Sequence, residues 1–284
     1  MRMLKTTFML TLLTLLLLFG GEAIAGRQGM TFALVMAVLM NGGAYFFSDK
    51  IALASSGAKA VTREQEPRLY AVMERLAQKG NLPMPKLYVI PQAAPNAFAT
   101  GRNPSHASVA ATQGLLELMN DDELEGVIAH ELSHVRNYDI LTTSIAATLA
   151  GAITWIASMG RWAMIFGGMG GRDERRGGGG LAALVMLVVA PFAAMLIQLG
   201  ISRQREYAAD AAGAKLVGHP YGLISALEKL GAYNNRIPMD VSPANSSLYI
   251  VRPLSVGQIF SGMFSTHPPL SERIAALRQM TLTR

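Results

Sequence analysis

The run His130-Glu131-Leu132-Ser133-His134 places two imidazoles four residues apart, with a carboxylate next to the first. If the run is helical, His130 and His134 share a face and can bind one metal ion, with Glu131 beside it as a base for peptide hydrolysis. A chain of this composition would supply roughly 0.006 such patterns by chance. Polar histidines on an exposed face would be the plain alternative, but that leaves Glu131 without a structural reason for its position.

The preceding residues supply the helix. Asn120 with Glu123 three residues on forms a capping-box pattern, and Asp121, Asp122 and Glu123 put acids in the first turn. Leu124, Val127, Ile128, Leu132 and Val135 follow at three- and four-residue spacing, an apolar stripe that buries the helix against a core. The motif then falls in the third turn.

A catalytic zinc takes three protein ligands and keeps one position open. The 284 residues include no Cys, which excludes disulfides and thiolate sites and leaves His or carboxylate as the third ligand. His106 lies in a turn-rich loop and His219 precedes Pro220 at a helix end, settings that suit solvated residues. A carboxylate fits better. Glu206 and Asp210 lie four apart in the Ala-rich run 202–210, so Glu206 can bind the metal while Asp210 accepts a hydrogen bond from a ligand histidine. Surface acids paired with nearby arginines are the alternative.

The elements that must position these groups include long apolar runs. Residues 6–25, 30–47, 140–160 and 181–201 each approach the ~20 residues that span a ~30 Å hydrocarbon layer, predicting four spans. The third carries Thr142, Thr143, Ser144, Thr148, Gly151 and Thr154, so packing against protein or lining a wet cavity is the alternative there. Trp155 and Trp162 suit interfacial anchors near its far end, with Arg161 snorkelling, and Pro191 predicts a kink in the fourth. Four spans put 20 of the 25 Lys and Arg on one side, which the positive-inside rule makes cytoplasmic. Two crossings between His134 and Glu206 return the chain to the face it left, as a shared site requires. Arg2 and Lys5 before an apolar run ending in Ala23-Ile24-Ala25 also fit a cleavable leader, which would leave the motif on the same side. The net charge of +6 suits a face meeting anionic lipid, and with no basic stripe interleaved with aromatics no nucleic-acid partner is expected.

Together these features resemble the HtpX-type membrane zinc metalloproteases, related to the type 1 prenyl-CAAX endopeptidases. The resemblance covers nearly the whole chain. It rests on the paired N-terminal spans, Pro95-Asn96-Ala97-Phe98-Ala99-Thr100-Gly101, the stretch 125–137 around the motif, Glu206-Tyr207-Ala208-Ala209-Asp210 and His267-Pro268-Pro269-Leu270-Ser271-Glu272-Arg273. It implies an α+β fold: a mainly helical integral membrane protein with a zincin-like catalytic domain carrying a small β-sheet. One Zn2+ per chain is implied, held by His130, His134 and Glu206, with Glu131 catalytic and Asp210 behind a ligand histidine. By the same resemblance Asn96 would contact substrate near the cleft, His267 would help stabilise the oxyanion and Arg273 would hold an acid of the site. The implied role is membrane-protein quality control and stress response, by cleavage of misfolded or damaged membrane proteins from the cytoplasmic side of the cell inner membrane, with a functional link to other membrane proteases. Read from the residues alone, Asn96 after a proline could shape a turn, His267 before two prolines could be a rigid-loop residue, and Arg273 could be a solvated helix residue.

The chain thus divides into two N-terminal transmembrane helices (1–47), a first catalytic part with the motif helix (48–139), a transmembrane hairpin with a Gly-rich loop at 167–180 (140–201), and a second catalytic part with the third ligand (202–284). The Gly-rich loop has no preceding strand and no Gly-Lys-Ser/Thr ending, so it is not a phosphate cradle. Residues 86–90 and 107–112 read as short strands, the latter at the place where zinc peptidases carry an edge strand that pairs with an extended peptide. Residues 236–265 read as a long irregular loop, a lid over the cleft or a simple insertion. Two other functions use the same residues. Processing of prenylated CAAX termini fits poorly with four spans and no large enclosing set of helices, and a catalytically idle scaffold leaves Glu131 unexplained.

Overall fold

The computed structural model describes residues 2–149, 203–234, 248–251 and 268–280. The end of the third apolar run, the Gly-rich loop 167–180, the fourth run, Trp155, Trp162, Pro191 and His267 lie outside the described residues, as does most of 236–265.

Helix α1 (Arg2–Ser55) is two helices joined at a break where Gly26 takes a φ of 57°, a conformation open to glycine at no steric cost. Its second part, Ala25–Ser55, is long and apolar enough to cross a membrane and presents Phe32, Val38 and Leu39 outward. The parts are tied by Asn41 Nδ2 donating to Thr14 Oγ1 at 2.9 Å. Ser48-Asp49-Lys50 carry the helix on past the apolar run 30–47, and it stops only before Gly57, at a φ of 69°.

Four strands, β1 (Lys59–Ala60), β2 (Lys86–Ile90), β3 (Ala97–Gly101) and β4 (Ala107–Thr112), form one sheet in the order β1-β2-β4-β3. β2 and β4 run parallel and the other pairs are antiparallel. Residues 107–112 therefore lie inside the sheet, and the edge beside the motif helix is β3, a correction to the sequence reading. The cause is the turn after Gly101. There φ is 136° and an added Cβ would sit 2.2 Å from the His106 carbonyl oxygen, so the chain folds back on itself in a way other residues cannot.

Helices cover the sheet. α2 (Pro67–Lys79) buries Leu69, Val72, Met73, Leu76 and Ala77, and α3 (Gln113–Leu118) is capped by Thr112, which accepts from Leu115 N–H. α4 (Asp121–Arg136) starts at the Asn120–Glu123 capping box expected from the sequence, and its stripe Leu124, Val127, Ile128, Leu132 and Val135 is fully buried. Glu123 also accepts from Ser225 Oγ (2.6 Å) and Lys229 Nζ (2.7 Å), fastening the start of α4 to α7 (Tyr221–Asn234). After Tyr138, at a φ of 60°, α5 (Asp139–Leu149) begins. Its polar residues meet protein: Thr142 bonds Thr6 (3.0 Å) and Ser144 bonds Thr100 of β3 (2.7 Å). α6 (Arg203–Val217) and α8 (Leu270–Arg278) complete the described α-helices.

Candidate metal centre

α4 presents His130 and His134 on one face, and α6 crosses it to bring Glu206 beside them. The crossing is close because Gly213 of α6 lies against the main chain of α4. A Cβ there would be 3.0 Å from His130 N. One donor atom from each of the three residues lies within 4.8 Å of the others.

The orientation of each ring follows from its second nitrogen. His130 Nδ1 lies 2.8 Å from Asp210 Oδ1, and His134 Nδ1 lies 3.2 Å from Asp139 Oδ2. A neutral imidazole donating from Nδ1 carries its lone pair on Nε2. The two Nε2 atoms face each other at 3.2 Å, and they stand 3.8 Å and 3.6 Å from the Glu206 oxygens. Two imidazoles and a carboxylate converging in this way call for a positive charge among them, which a proton on His134 supplies in the metal-free protein and a metal ion would supply in its place. Ligands ~2.0–2.2 Å from a tetrahedral zinc lie roughly 3.3–3.6 Å from one another, so the residues present fit the ion.

Arg273, fully buried, clamps Asp210 with two hydrogen bonds, Nε to Oδ2 at 2.8 Å and Nη2 to Oδ1 at 2.6 Å. Its Nη2 also comes within 3.4 Å of His130 Nδ1, but that nitrogen already donates to Asp210 and has no lone pair to offer. Burial would raise the Asp210 carboxyl, yet the guanidinium outweighs it and holds Asp210 down at about 2. Burial in turn lowers His130, favouring the neutral form a ligand needs. For His134, burial opposes the charge, but the Asp139 hydrogen bond and the charges of Glu206 and Glu131 prevail and push it up to about 9.

Glu131 is buried beside the cluster without belonging to it. Burial, helped by the charge of Glu206 and opposed by His134, raises its carboxyl to about 7, and Ala99 N–H of β3 donates to it. A carboxylate poised near neutrality beside metal donors can take and return a proton.

The other site candidates divide. Asp210 and Arg273 join the cluster from behind. Asn96 is buried, with its amide engaged by the main chain of Val251. His267 lies outside the described residues. His106 is exposed and bonds Asn103, and His219 stands 3.6 Å from Asp122, both away from the cluster. Sequence reasoning missed Asp139, for which an acid just past the end of the motif helix was the available signal, and the Ala99 amide, for which there was none.

Two imidazoles, a carboxylate from a later helix and a separate buried glutamate are the parts of a metallopeptidase. The comparisons are of the same kind. Residues 63–281 match the model of Peptidase family M48, and the chain belongs to that family. It is 56% identical to a Protease HtpX homolog of Desulfatibacillum aliphaticivorans over 96% of this chain and 88% of the relative. With a Protease HtpX homolog of Syntrophotalea carbinolica it shares 52% over 99% and 100%. Among solved structures, S. mikatae Ste24p superposes with a TM-score of 0.53 at 21% identity, covering 97% of this chain and 64% of that one, a likeness of fold. The chain is thus a membrane metalloprotease of family M48.

Proposed function

We propose that the protein is a zinc endopeptidase that cuts misfolded or damaged membrane proteins from the cytoplasmic side of the cell inner membrane, as part of quality control under stress. The observation that carries the catalytic part is Glu131, a buried carboxylate held near neutrality beside His130, His134 and Glu206 but not among the donors. Two imidazole nitrogens and one carboxylate oxygen, with no thiolate in the chain, suit zinc. When bound, the ion supplies Lewis acidity to the scissile carbonyl and to the attacking water. Glu131 accepts the water's proton as the new C–O bond forms and returns it to the leaving nitrogen as the C–N bond breaks. Asp210 and Asp139 keep both rings aimed, and Arg273 keeps Asp210 ionised.

Support for the side and the substrate comes from the apolar Ala25–Ser55 helix, the count of basic residues and the placement of cations at the base of that helix. Lys50 Nζ stands 5.4 Å from the Phe47 ring and Arg102 stands 5.8 Å from that of Phe46. Arg102 follows β3, so the catalytic edge sits next to the lipid boundary, within reach of segments emerging from the bilayer. The purified full chain in detergent should cut unfolded casein with zinc and stop with a chelator. Metal-loaded protein that leaves casein intact would favour the scaffold reading.

A further inference from the structure

Residues 248–251, a turn followed by bends rather than a strand, cover the outer edge of β3. Ile250 N–H donates to the Ala97 carbonyl at 3.0 Å. The Asn96 side chain then pairs with both main-chain groups of the next residue, its Nδ2 donating to the Val251 oxygen at 2.7 Å and its Oδ1 accepting from Val251 N–H at 3.3 Å. Pairing Asn96 with Val251 and Ala97 with Ile250 makes the segment antiparallel to β3. Moving along β3 from Asn96 to Ala99, whose N–H reaches Glu131, therefore runs back along the segment past Ile250. The Tyr249–Ile250 peptide bond lies on the Glu131 side. Just beyond it the Ile250 carbonyl accepts from Arg273 Nη1 at 2.9 Å, the same guanidinium that clamps Asp210 under His130.

One main-chain bond to Ala97, the Asn96 side-chain amide and the pockets beside β3 are groups that an extended peptide adding to this edge would also use, so the bent segment occupies them in its place. The pockets are apolar. Tyr249 meets Phe98 edge-on at 5.1 Å, and Leu248, Ile250 and Val251 are buried. The seat is nevertheless imperfect, because the Tyr249 hydroxyl is buried and finds no hydrogen-bond partner among the described residues. An orphaned hydroxyl opposes docking, so the segment is held with less than the full affinity of its contacts.

We propose that residues 248–251 are an internal stand-in for substrate, holding the β3 edge until an extended apolar peptide, an aromatic residue followed by branched aliphatics, takes it over. Cleavage of that peptide rests on the endopeptidase reading, whereas the exchange at the edge is a binding event independent of it. Substrate affinity is reduced by the fraction of molecules whose edge is occupied.

The binding arm uses zinc-loaded, full-length Glu131→Gln protein in detergent, with hydrogen exchange read at Ile250 and Val251 amides. Excess acetyl-Leu-Tyr-Ile-Val-amide should speed their exchange roughly threefold to tenfold, the scale of one lost hydrogen bond. Protection unmoved by the peptide overturns the proposal. In the kinetic arm, Val251→Pro removes the donor to Asn96 and should lower KM for unfolded casein by a similar factor at unchanged kcat. Tyr249→Phe removes the orphaned hydroxyl, seats the segment better and should raise KM. If Val251→Pro fails to fold, Tyr249→Phe decides the kinetic arm, and an unchanged KM there overturns the proposal. A wild-type protein that binds zinc but cuts no casein defeats the endopeptidase reading, and the exchange arm still decides the stand-in.

Discussion

Glu131 and His134 make opposite demands on the same few ångströms. Glu131 must be ionised to act as a base, yet burial raises it to about 7, while His134 must be neutral to bind metal, yet its neighbours push it up to about 9. Glu131→Gln should keep metal and secondary structure while turnover of unfolded casein falls ~10²–10⁴-fold, the worth of general-base help. Near-native turnover by that variant, with metal bound, would reject the assignment. His134 gives a pH signature. Its folded value lies above the ordinary ~6.5, so in metal-free protein its stabilisation is complete below that and is lost as pH rises through about 9. The ion must displace the same proton, so metal affinity should rise about tenfold per pH step of one across that window, read by chelator competition, while the melting temperature of metal-free protein falls. A flat affinity profile would show that His134 is already neutral. His130, Glu131 and His134 were legible because a helical repeat fixes which side chains share a face. Asp139 was not, because its reach to His134 depends on the turn through Tyr138, at a φ of 60°, and no periodicity announces that turn. Arg273 read equally well as a solvated residue, since full burial depends on partners 63 residues away in sequence.

Helix crossings, more than the helices themselves, set the donor geometry. α6 approaches α4 through Gly213, where a Cβ would meet His130 N at 3.0 Å, Ala129 C at 3.1 Å and His130 Cα at 3.2 Å. These are main-chain atoms and cannot swing away. Gly213→Ala should therefore lower stability by ~1–3 kcal/mol, the usual cost of overpacking, and weaken metal binding by pushing Glu206 from the histidines. Denaturant unfolding and a metal titration check both. Gly42→Ala on α1, where a Cβ meets nothing within 4 Å, is the control and should leave metal binding unchanged. Among the elements, α4 was legible down to its cap, because capping and amphipathic spacing are local. β3 was hidden. All five of its residues are buried, so it lacks the alternation that marks a half-exposed strand, and its edge position follows from the fold-back at Gly101.

At the scale of the whole molecule, the apolar patterning and the site must agree on one membrane face. Ala25–Ser55 carries outward Phe32, Val38 and Leu39, and the helix ends among Lys50, Arg102 and the aromatic rings beneath them, next to the catalytic edge. α5 leaves the site after Asp139 and bonds back to α1 and β3 through Thr142 and Ser144, so two of the polar residues that set this run apart are the ones that dock it. The apolar Ala25–Ser55 helix was legible because hydropathy over ~20 residues is a strong signal, whereas partner choice for a threonine in an apolar run depends on three-dimensional neighbours. His134 and Glu206 meet in one cluster, so two crossings between them, if the runs 140–160 and 181–201 span, are what a shared site requires, and the side is proposed from the basic residues and the cations beside Phe46 and Phe47. The chain has no native Cys, which makes the test clean. Ser55→Cys at the end of α1 and Ser271→Cys at the start of α8 are both exposed, and in intact cells both should resist an impermeant maleimide and react once the membrane is permeabilised. Labelling of both from outside would invert the protein and place the site away from the cytoplasm; labelling of only one would contradict the shared face that the His130–His134–Glu206 cluster requires.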